Sequence, residues 1–306
     1  MKNAGLTIAF VGCGNMGAAV LHGLLDTIYP EDSKSPTSSR FTRFIACTNT
    51  KTSAVALKEG LGRHRRVVSH TLDLWYQSNE MAFREADVIV LGVKPYMAKE
   101  VLQTPWMREA AAGKLVISLL AGLSVSDIRK VMFEDAAIWG KVDEVNRPYI
   151  AKAIPNLAAR YGQSMTILEE SMPALPPDMH ELLEWTFSQV GKVKFMSPAL
   201  TDAGSVLVTT CLATLSVPLD GILDGAVVEG LKRGEALDLA VQGVIGLGTM
   251  LQNGHHPAVL RENISSPRGC TIQTLLSVER EATRAVFADA LVSGMKHLRD
   301  ANGGGK

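Results

Sequence analysis

Near its start the chain sets six strand-like residues, Leu6-Thr7-Ile8-Ala9-Phe10-Val11, directly ahead of Gly12-Cys13-Gly14-Asn15-Met16-Gly17. This is a GxGxxG spacing after a strand. The apolar residues that follow (Ala18, Ala19, Leu21, Leu24 and Leu25) recur at helical intervals. Each glycine has its own expected use. The first allows a tight turn, the second lets backbone approach a pyrophosphate, and the third lets the helix pack on the strand. A helix start also presents N–H groups without helical partners, and a partial positive charge, to phosphates. Gly12, Gly14, Asn15, Met16 and Gly17 are therefore expected to bind a dinucleotide.

The rest of the chain is consistent with that opening. Phe44-Ile45-Ala46-Cys47-Thr48 reads as a second strand, and Ser53 to Glu59 reads as helix. Ala86 to Val93, Leu115 to Leu120 and Tyr149 to Ile154 are apolar runs without alternation, as expected of strands buried on both faces of a parallel sheet. Strands alternating with helices give an α/β class, a Rossmann-type doubly wound sheet over residues 1–196. Glu31 to Arg43 reads as a polar surface loop, and the glycine-rich end from Asn302 as disordered.

From Ser197 onward the apolar residues recur at helical spacing only. Residues 197–306 are expected to form an all-helical domain. Leu237, Val241, Val244, Ile245, Leu247 and Leu251 share one helix with Gly243, Gly246 and Gly248. Each glycine costs a helix about 1 kcal/mol, so three together point to a close helix–helix approach, either a dimer seam or a weakly stable helix buried in a bundle.

Bulk properties exclude several classes. The 306 residues carry no net charge, so no nucleic-acid partner is expected. No apolar run reaches the ~20 residues that span a bilayer, and no leader is expected ahead of the first strand. Cys13, Cys47, Cys211 and Cys270 are scattered without a metal or disulfide spacing, so no metal and a reducing, cytoplasmic compartment are expected. His255-His256-Pro257 reads as a helix-ending turn rather than a metal site.

The end of the second strand reads the cofactor. An acid there would take the ribose 2′-hydroxyl of NAD. This chain has Thr48-Asn49-Thr50-Lys51-Thr52-Ser53, with hydroxyls, an amide and a cation. Asn49, Thr50 and Lys51 suit a 2′-phosphate, so NADPH is expected. Val93-Lys94-Pro95, Ala121-Gly122 and Asn156 follow further strands, where ligands sit in such sheets. Lys94 is read as a positioning residue, and Asn156 either orients a carboxamide or caps a helix. Ser265-Ser266-Pro267 looks like a helix start, with Ser266 as N-cap and Pro267 at the first position.

Six segments in order resemble the Δ1-pyrroline-5-carboxylate reductase family. They are GCGNMG at 12–17, ADVIVLGVKP at 86–95, VISLLAG at 116–122, KAIPN at 152–156, Gly191-Lys192-Val193, and SSPRGCTI at 265–272, the last followed by Leu275 to Glu279. The resemblance implies a Rossmann domain, a helical dimerisation and substrate domain over residues 197–306 through which two chains interlock as a homodimer, and NADP(H). It places the Val93–Pro95 loop against the cofactor. It implies that the 265–272 loop, with Ser266 and Gly269, grips the carboxylate of a small cyclic imino acid. It also implies that the Thr271 hydroxyl bonds the ring nitrogen as the catalytic residue.

The chain departs from the family pattern around the implied cleft. Val208 to Thr214 stands where the family carries Ser-Gly-Ser-Gly-Pro-Ala-Tyr, Pro198 where it has an acid, and Lys152 where it often has Arg. Arg268 stands where the family has Gly, and either adds a bidentate hold on the carboxylate or faces solvent. The resemblance gives reduction of pyrroline-5-carboxylate to proline as the expected reaction. The altered 208–214 segment motivates two alternatives, an imine reductase for another ring and a non-catalytic NADP-binding protein. No Ser/His/Asp relay stands out, which fits an iminium that is already electrophilic and needs mainly orientation and a dry cleft.

Overall fold

The protein is described from a computed structural model covering residues 5–30, 39–62, 71–133, 142–143 and 146–303. The chain divides into two compact units. One runs to Ser205 and takes in the residues from Leu298, and the other is Val206–His297. The strand-to-helix change expected at 196/197 coincides with the start of a long helix, and the division of contacts falls inside that helix.

The first unit is built on one eight-stranded sheet: β1 Leu6–Val11, β2 Phe41–Thr48, β3 Leu72–Tyr76, β4 Val88–Leu91, β5 Leu115–Ser118, β6 Tyr149–Ile154, β7 Ser164–Glu169 and β8 Gly191–Met196. Their spatial order is β3-β2-β1-β4-β5-β6-β7-β8. The first six strands are mutually parallel. β7 pairs antiparallel with β6, and β8 runs parallel to β7. The order reverses at β1 and β4, the position at which such sheets bind ligands.

Both faces are covered, which is why the central strands are apolar without alternation. One core layer joins Ile8, Phe10, Phe41, Phe44 and Val90 to helices α1 Asn15–Ile28 and α2 Lys51–Gly60. The opposite layer joins Ala9, Val11, Ile89, Leu91 and Val116 to α3 Asn79–Glu85, α4 Ala98–Leu102, α5 Met107–Ala111 and α6 Val125–Phe133. Helix α7 Pro177–Ser188 then packs against β8.

β2 starts at Phe41, inside the stretch read as loop to Arg43, because Phe41 and Phe44 are both fully buried. Residues 31–38 of that stretch, and 304–306 of the expected disordered end, lie outside the described residues. Asn302 and Gly303 close the last helix. β3, β7 and β8 were not expected from the sequence. β3 and β8 are the edge strands, and β8 alternates exposed Lys192 and Lys194 with half-buried neighbours. Lysines on an edge also discourage strand addition by another chain.

After β8 come α8 Pro198–Val228, α9 Arg233–Gln252, α10 Pro257–Asn263, α11 Cys270–Arg280 and α12 Thr283–Gly303. By length and composition α8 is apolar enough to cross a membrane, its most apolar stretch having a mean hydropathy of 1.8 with 6% of it buried. Asp202, Asp220 and Asp224 interrupt it, so no uninterrupted apolar run announces it. Among residues 206–297 the buried apolar side chains are Leu223, Ala236 and Leu260, while Leu237, Val241, Val244, Ile245, Leu247 and Leu251 are all exposed. A helix set with so little buried apolar surface needs another surface to cover it.

Candidate active site

The turn after β1 is shaped by how near its neighbours lie. Gly12 has φ +78°, and a β-carbon there would stand 2.5 Å from Val93 Cγ1 and 2.7 Å from the Val93 backbone nitrogen. Only glycine fits, because the turns after β1 and β4 are in contact. The Gly12 and Cys13 N–H groups both donate to the Cys47 carbonyl, at 3.1 and 2.9 Å, which fixes the turn against β2.

Gly14 lies at an open face, where its β-carbon would meet only the Gly12 carbonyl oxygen at 4.0 Å. That space is what a backbone approach to phosphate requires. Gly14 also precedes α1, whose start has no capping side chain and no acid in its first turn. The N–H groups of Asn15, Met16 and Gly17 therefore head a helix that offers its positive end without an internal anion.

Gly17 differs from its expected role. A methyl there would make ordinary contacts, 3.6 Å to the Gly12 oxygen and 3.7 Å to Cys13 Sγ, so close helix–strand packing does not demand this glycine. Cys13 is buried, and burial, with Cys47 second, pushes its thiol up to about 12. It is an inert core group rather than a reactive one.

At the end of β2, Thr50 caps α2 by accepting from the Ser53 N–H at 3.1 Å, and the two hydroxyls are 2.7 Å apart. Asn49, Thr50, Lys51, Thr52 and Ser53 are all exposed and no acid stands among them. Beside them a cleft of about 470 Å³ is lined by Gly14, Asn15, Ser53, Leu157, Arg160 and Tyr161, among others. After β4, Lys94 precedes the 3-10 turn Pro95–Met97 and its ammonium stands 5.9 Å over the Tyr96 ring. After β5, Ala121 is exposed and Gly122 takes φ +79°. Of the two readings of Asn156, the structure shows the cap: its Oδ1 accepts from the Ala158 N–H at 2.9 Å and starts the 3-10 turn Leu157–Tyr161.

The sequence reading missed a buried ionic group at the same strand ends. Lys152 Nζ lies 2.9 Å from Asp202 Oδ1 and 3.9 Å from Glu169 Oε2. Lys152 and Glu169 are buried and Asp202 is half-buried. Burial is the main force raising Glu169 above the ordinary glutamate range. Lys152 opposes it, and the Asp202 charge adds to it. The available signal was a lysine in the otherwise apolar run of β6.

In the second unit the loop 265–272 corrects another expectation. Ser266 does not cap a helix and Pro267 does not start one. Residues 266–269 form a turn closed by the Gly269 N–H donating to the Ser266 carbonyl at 3.0 Å, and Gly269 is the N-cap of α11. A β-carbon on Gly269 would collide with Ser266 Oγ. Arg268 sits in the left-handed region at φ +62°. Arg261, Ser266, Arg268, Ile272, Leu275 and Glu279 line a cavity of about 550 Å³ with others, and Thr271 is not among its lining residues. Thr271 is half-buried at the second position of α11. The altered segment Val208 to Thr214 lies within α8.

The His255-His256-Pro257 segment both closes one helix, as expected, and starts the next: the His255 N–H donates to the Met250 carbonyl at 3.2 Å at the end of α9. His256 Nδ1 accepts from the Ala258 N–H at 3.2 Å and caps α10. Among the described residues no group of three His, Cys, Asp or Glu side chains could hold a metal ion.

Comparison with known proteins covers both units. Residues 198–300 match the family described as pyrroline-5-carboxylate reductase dimerisation, and residues 7–122 match NADP oxidoreductase coenzyme F420-dependent. A pyrroline-5-carboxylate reductase of Neurospora crassa is 34% identical over 304 residues, covering 94% of this chain and 90% of that one. One of Methanosarcina acetivorans is 30% identical, covering 96% and 97%. The fold is that of Plasmodium falciparum pyrroline carboxylate reductase, solved with NADP bound, at a TM-score of 0.77, 20% identity and 97% and 98% coverage. With near-complete coverage on both sides and both units matched, the chain belongs to the pyrroline-5-carboxylate reductase family.

Proposed function

We propose that the protein uses NADPH to reduce a small cyclic imino acid, Δ1-pyrroline-5-carboxylate to L-proline. The observation that carries this reading is the pairing of an open, uncapped α1 start behind Gly14 with an acid-free β2 end bearing Thr50, Lys51 and Ser53. Those features fit a dinucleotide with a 2′-phosphate. Gly12, Gly14, Asn15, Met16 and Gly17 would hold the pyrophosphate, and Asn49, Thr50 and Lys51 the 2′-phosphate. Val93, Lys94, Pro95, Ala121 and Gly122 would border the ribose and nicotinamide. Asn156 supports the adjoining turn as a cap. When bound, NADPH supplies the hydride.

The chain's own residues supply orientation. Ser266, Gly269 and Arg268 would hold the substrate carboxylate, using the hydroxyl, the start of α11 and the guanidinium. The Thr271 hydroxyl would donate to the ring nitrogen as that atom gains electron density. Four free cysteines accord with a reducing compartment such as the cytoplasm. The exposed apolar faces of α8 and α9, within the residues that match a dimerisation family, support an obligate homodimer.

Val208 to Thr214 supports a second reading, reduction of another cyclic imine, because β-branched side chains stand where the family has small ones. NADPH oxidation with a panel of five- and six-membered cyclic imino acids tests both. The parent should turn over pyrroline-5-carboxylate, and Thr271→Val should lose roughly 10–1,000-fold in kcat. Ser266→Ala should act mainly on KM. A fully active Thr271→Val removes that hydroxyl from the reaction. Tight NADPH binding with turnover only of a six-membered ring selects the second reading.

A further inference from the structure

The turn that follows β6 is pressed onto α1. A β-carbon on Gly23 would collide with the Ala159 carbonyl oxygen, so glycine is what lets the two elements meet. Asn156 caps the 3-10 turn Leu157–Tyr161 at its start. Gly162, at φ +67°, closes it with its N–H on the Ala159 carbonyl at 3.1 Å. Ala159 is buried in the core layer that also holds α1. The next residue, Arg160, is thereby set on the wall of the cleft that Gly14, Asn15 and Ser53 also line.

Arg160 is half-buried. Its Nε is buried and meets no hydrogen-bond partner, and among the described residues its side chain forms no ion pair. Elsewhere in the first unit Arg40, Arg43 and Arg84 each meet a carboxylate. A guanidinium drawn out of water without a counter-charge is costly. Among the described residues no carboxylate lines the cleft. Neither α1 nor α2 carries an acid in its first turn. The cleft thus holds a fixed cation with no anion of the chain's own to meet it. Its volume of about 470 Å³ leaves room for a phosphate group.

We propose that Arg160 is a cofactor-binding residue that selects NADPH, its guanidinium taking the 2′-phosphate together with Lys51. This rests on the cofactor reading above. A phosphate monoester carries about two negative charges at neutral pH, and Lys51 offers one positive charge. Ser53, whose hydroxyl stands 2.7 Å from that of Thr50, is where the cleft adjoins the end of β2. Arginine suits the task because its planar fork takes two phosphate oxygens at once. The pyrophosphate is a poorer match, since the uncapped start of α1 already offers it backbone N–H groups.

Arg160→Leu removes the charge and suits a wall that Leu57 and Leu157 also line. Dissociation constants for NADPH and NADH are measured by fluorescence for the parent, Arg160→Leu and Arg160→Lys, beside the thermal unfolding midpoint without nucleotide. In Arg160→Leu, NADPH should bind about tenfold more weakly, the size of one hydrogen bond between charged groups. NADH should stay within about twofold of the parent value, because it lacks the 2′-phosphate. The midpoint should hold or rise, because a buried nitrogen without a partner is gone. Arg160→Lys keeps the charge without the fork and should recover part of the NADPH affinity.

Equal losses for both nucleotides in Arg160→Leu assign the guanidinium to the pyrophosphate or to the fold and overturn the proposal. Unchanged NADPH affinity in that variant, with a parent that binds NADPH more tightly than NADH, removes this proposal alone. A parent that binds NADH as tightly as NADPH removes the 2′-phosphate reading and this proposal together.

Discussion

The backbone N–H of Cys13 donates to the carbonyl of Cys47 at 2.9 Å, tying the first residue after the Gly12 turn to β2. Both side chains are buried, Cys13 in one core layer and Cys47 in the other. Because burial holds the Cys13 thiol up near 12, almost no thiolate forms at pH 8. Iodoacetamide mass mapping should leave Cys13 unmodified in the native protein and label it on unfolding. Rapid native labelling of Cys13 would contradict the packing described.

Gly12 and Gly17 should respond oppositely to the same substitution. Gly12→Ala adds a methyl against Val93 in a left-handed backbone position, a cost of ~3 kcal/mol or more. Nucleotide binding should be lost. Gly17→Ala meets only ordinary contacts inside α1, and alanine favours helix, so stability should hold or rise by up to about 1 kcal/mol. Denaturant titration and NADPH binding of the two variants check this pair.

Lys51→Ala should weaken NADPH about tenfold and leave NADH nearly unchanged, since only NADPH carries the 2′-phosphate. A charged hydrogen bond is worth about 1.5–3 kcal/mol, and exposure of Lys51 places the effect toward the lower end and makes it fade with salt. Equal losses for both nucleotides, or a parent that prefers NADH, would sink the assignment.

Arg268 occupies a backbone conformation that costs a side-chain-bearing residue ~1–2 kcal/mol. Arg268→Gly should relieve that strain, offset in part by glycine's extra freedom when unfolded, for a net gain of about 1 kcal/mol. If the guanidinium holds substrate, KM for the imino acid should rise in the same variant. A stabilised variant with unaltered KM would leave Arg268 facing solvent.

Glu169 gives stability a pH dependence of known sign. Its folded value is raised, so the folded chain holds that proton more tightly than the unfolded chain. The contribution is complete below the unfolded value of about 4.3 and is lost as pH rises through the folded one. Relative to the parent, Glu169→Gln should therefore gain stability between acid and neutral pH. Urea unfolding of both proteins at pH 4 and pH 8 measures it, and a relative loss at pH 8 would reverse the assignment.

The parts of this fold written in local pattern were legible from the residues. The β1–α1 turn, the buried strands around Ile89 and Ile117 and the long α9 all announce themselves by glycine spacing or unbroken apolar runs. β3, β7 and β8 were not legible, because short strands at or near an edge mix charge with apolar residues and resemble loops. The Ser-Ser-Pro segment misled for a related reason. It has the chemistry of a helix start, but the left-handed Arg268 delays α11 until Gly269. The Lys152 group was half visible as one cation in β6, while its carboxylates come from β7 and α8 and meet it only through the fold.

The strand pairing has a consequence for the whole molecule. Trp75, Cys47, Val11, Leu91, Ser118 and Lys152 pair in sequence from β3 to β6, and Glu169 and Met196 continue the line through β7 and β8. One transverse row thus crosses all eight strands just where the turns after β1, β2, β4 and β5 depart. It is apolar from Cys47 to Leu91 and becomes polar and then ionic from Ser118 to Glu169. A one-residue slip in any strand would move its turn off that line, so the architecture of the pocket is held as a shared latitude rather than as separate loops.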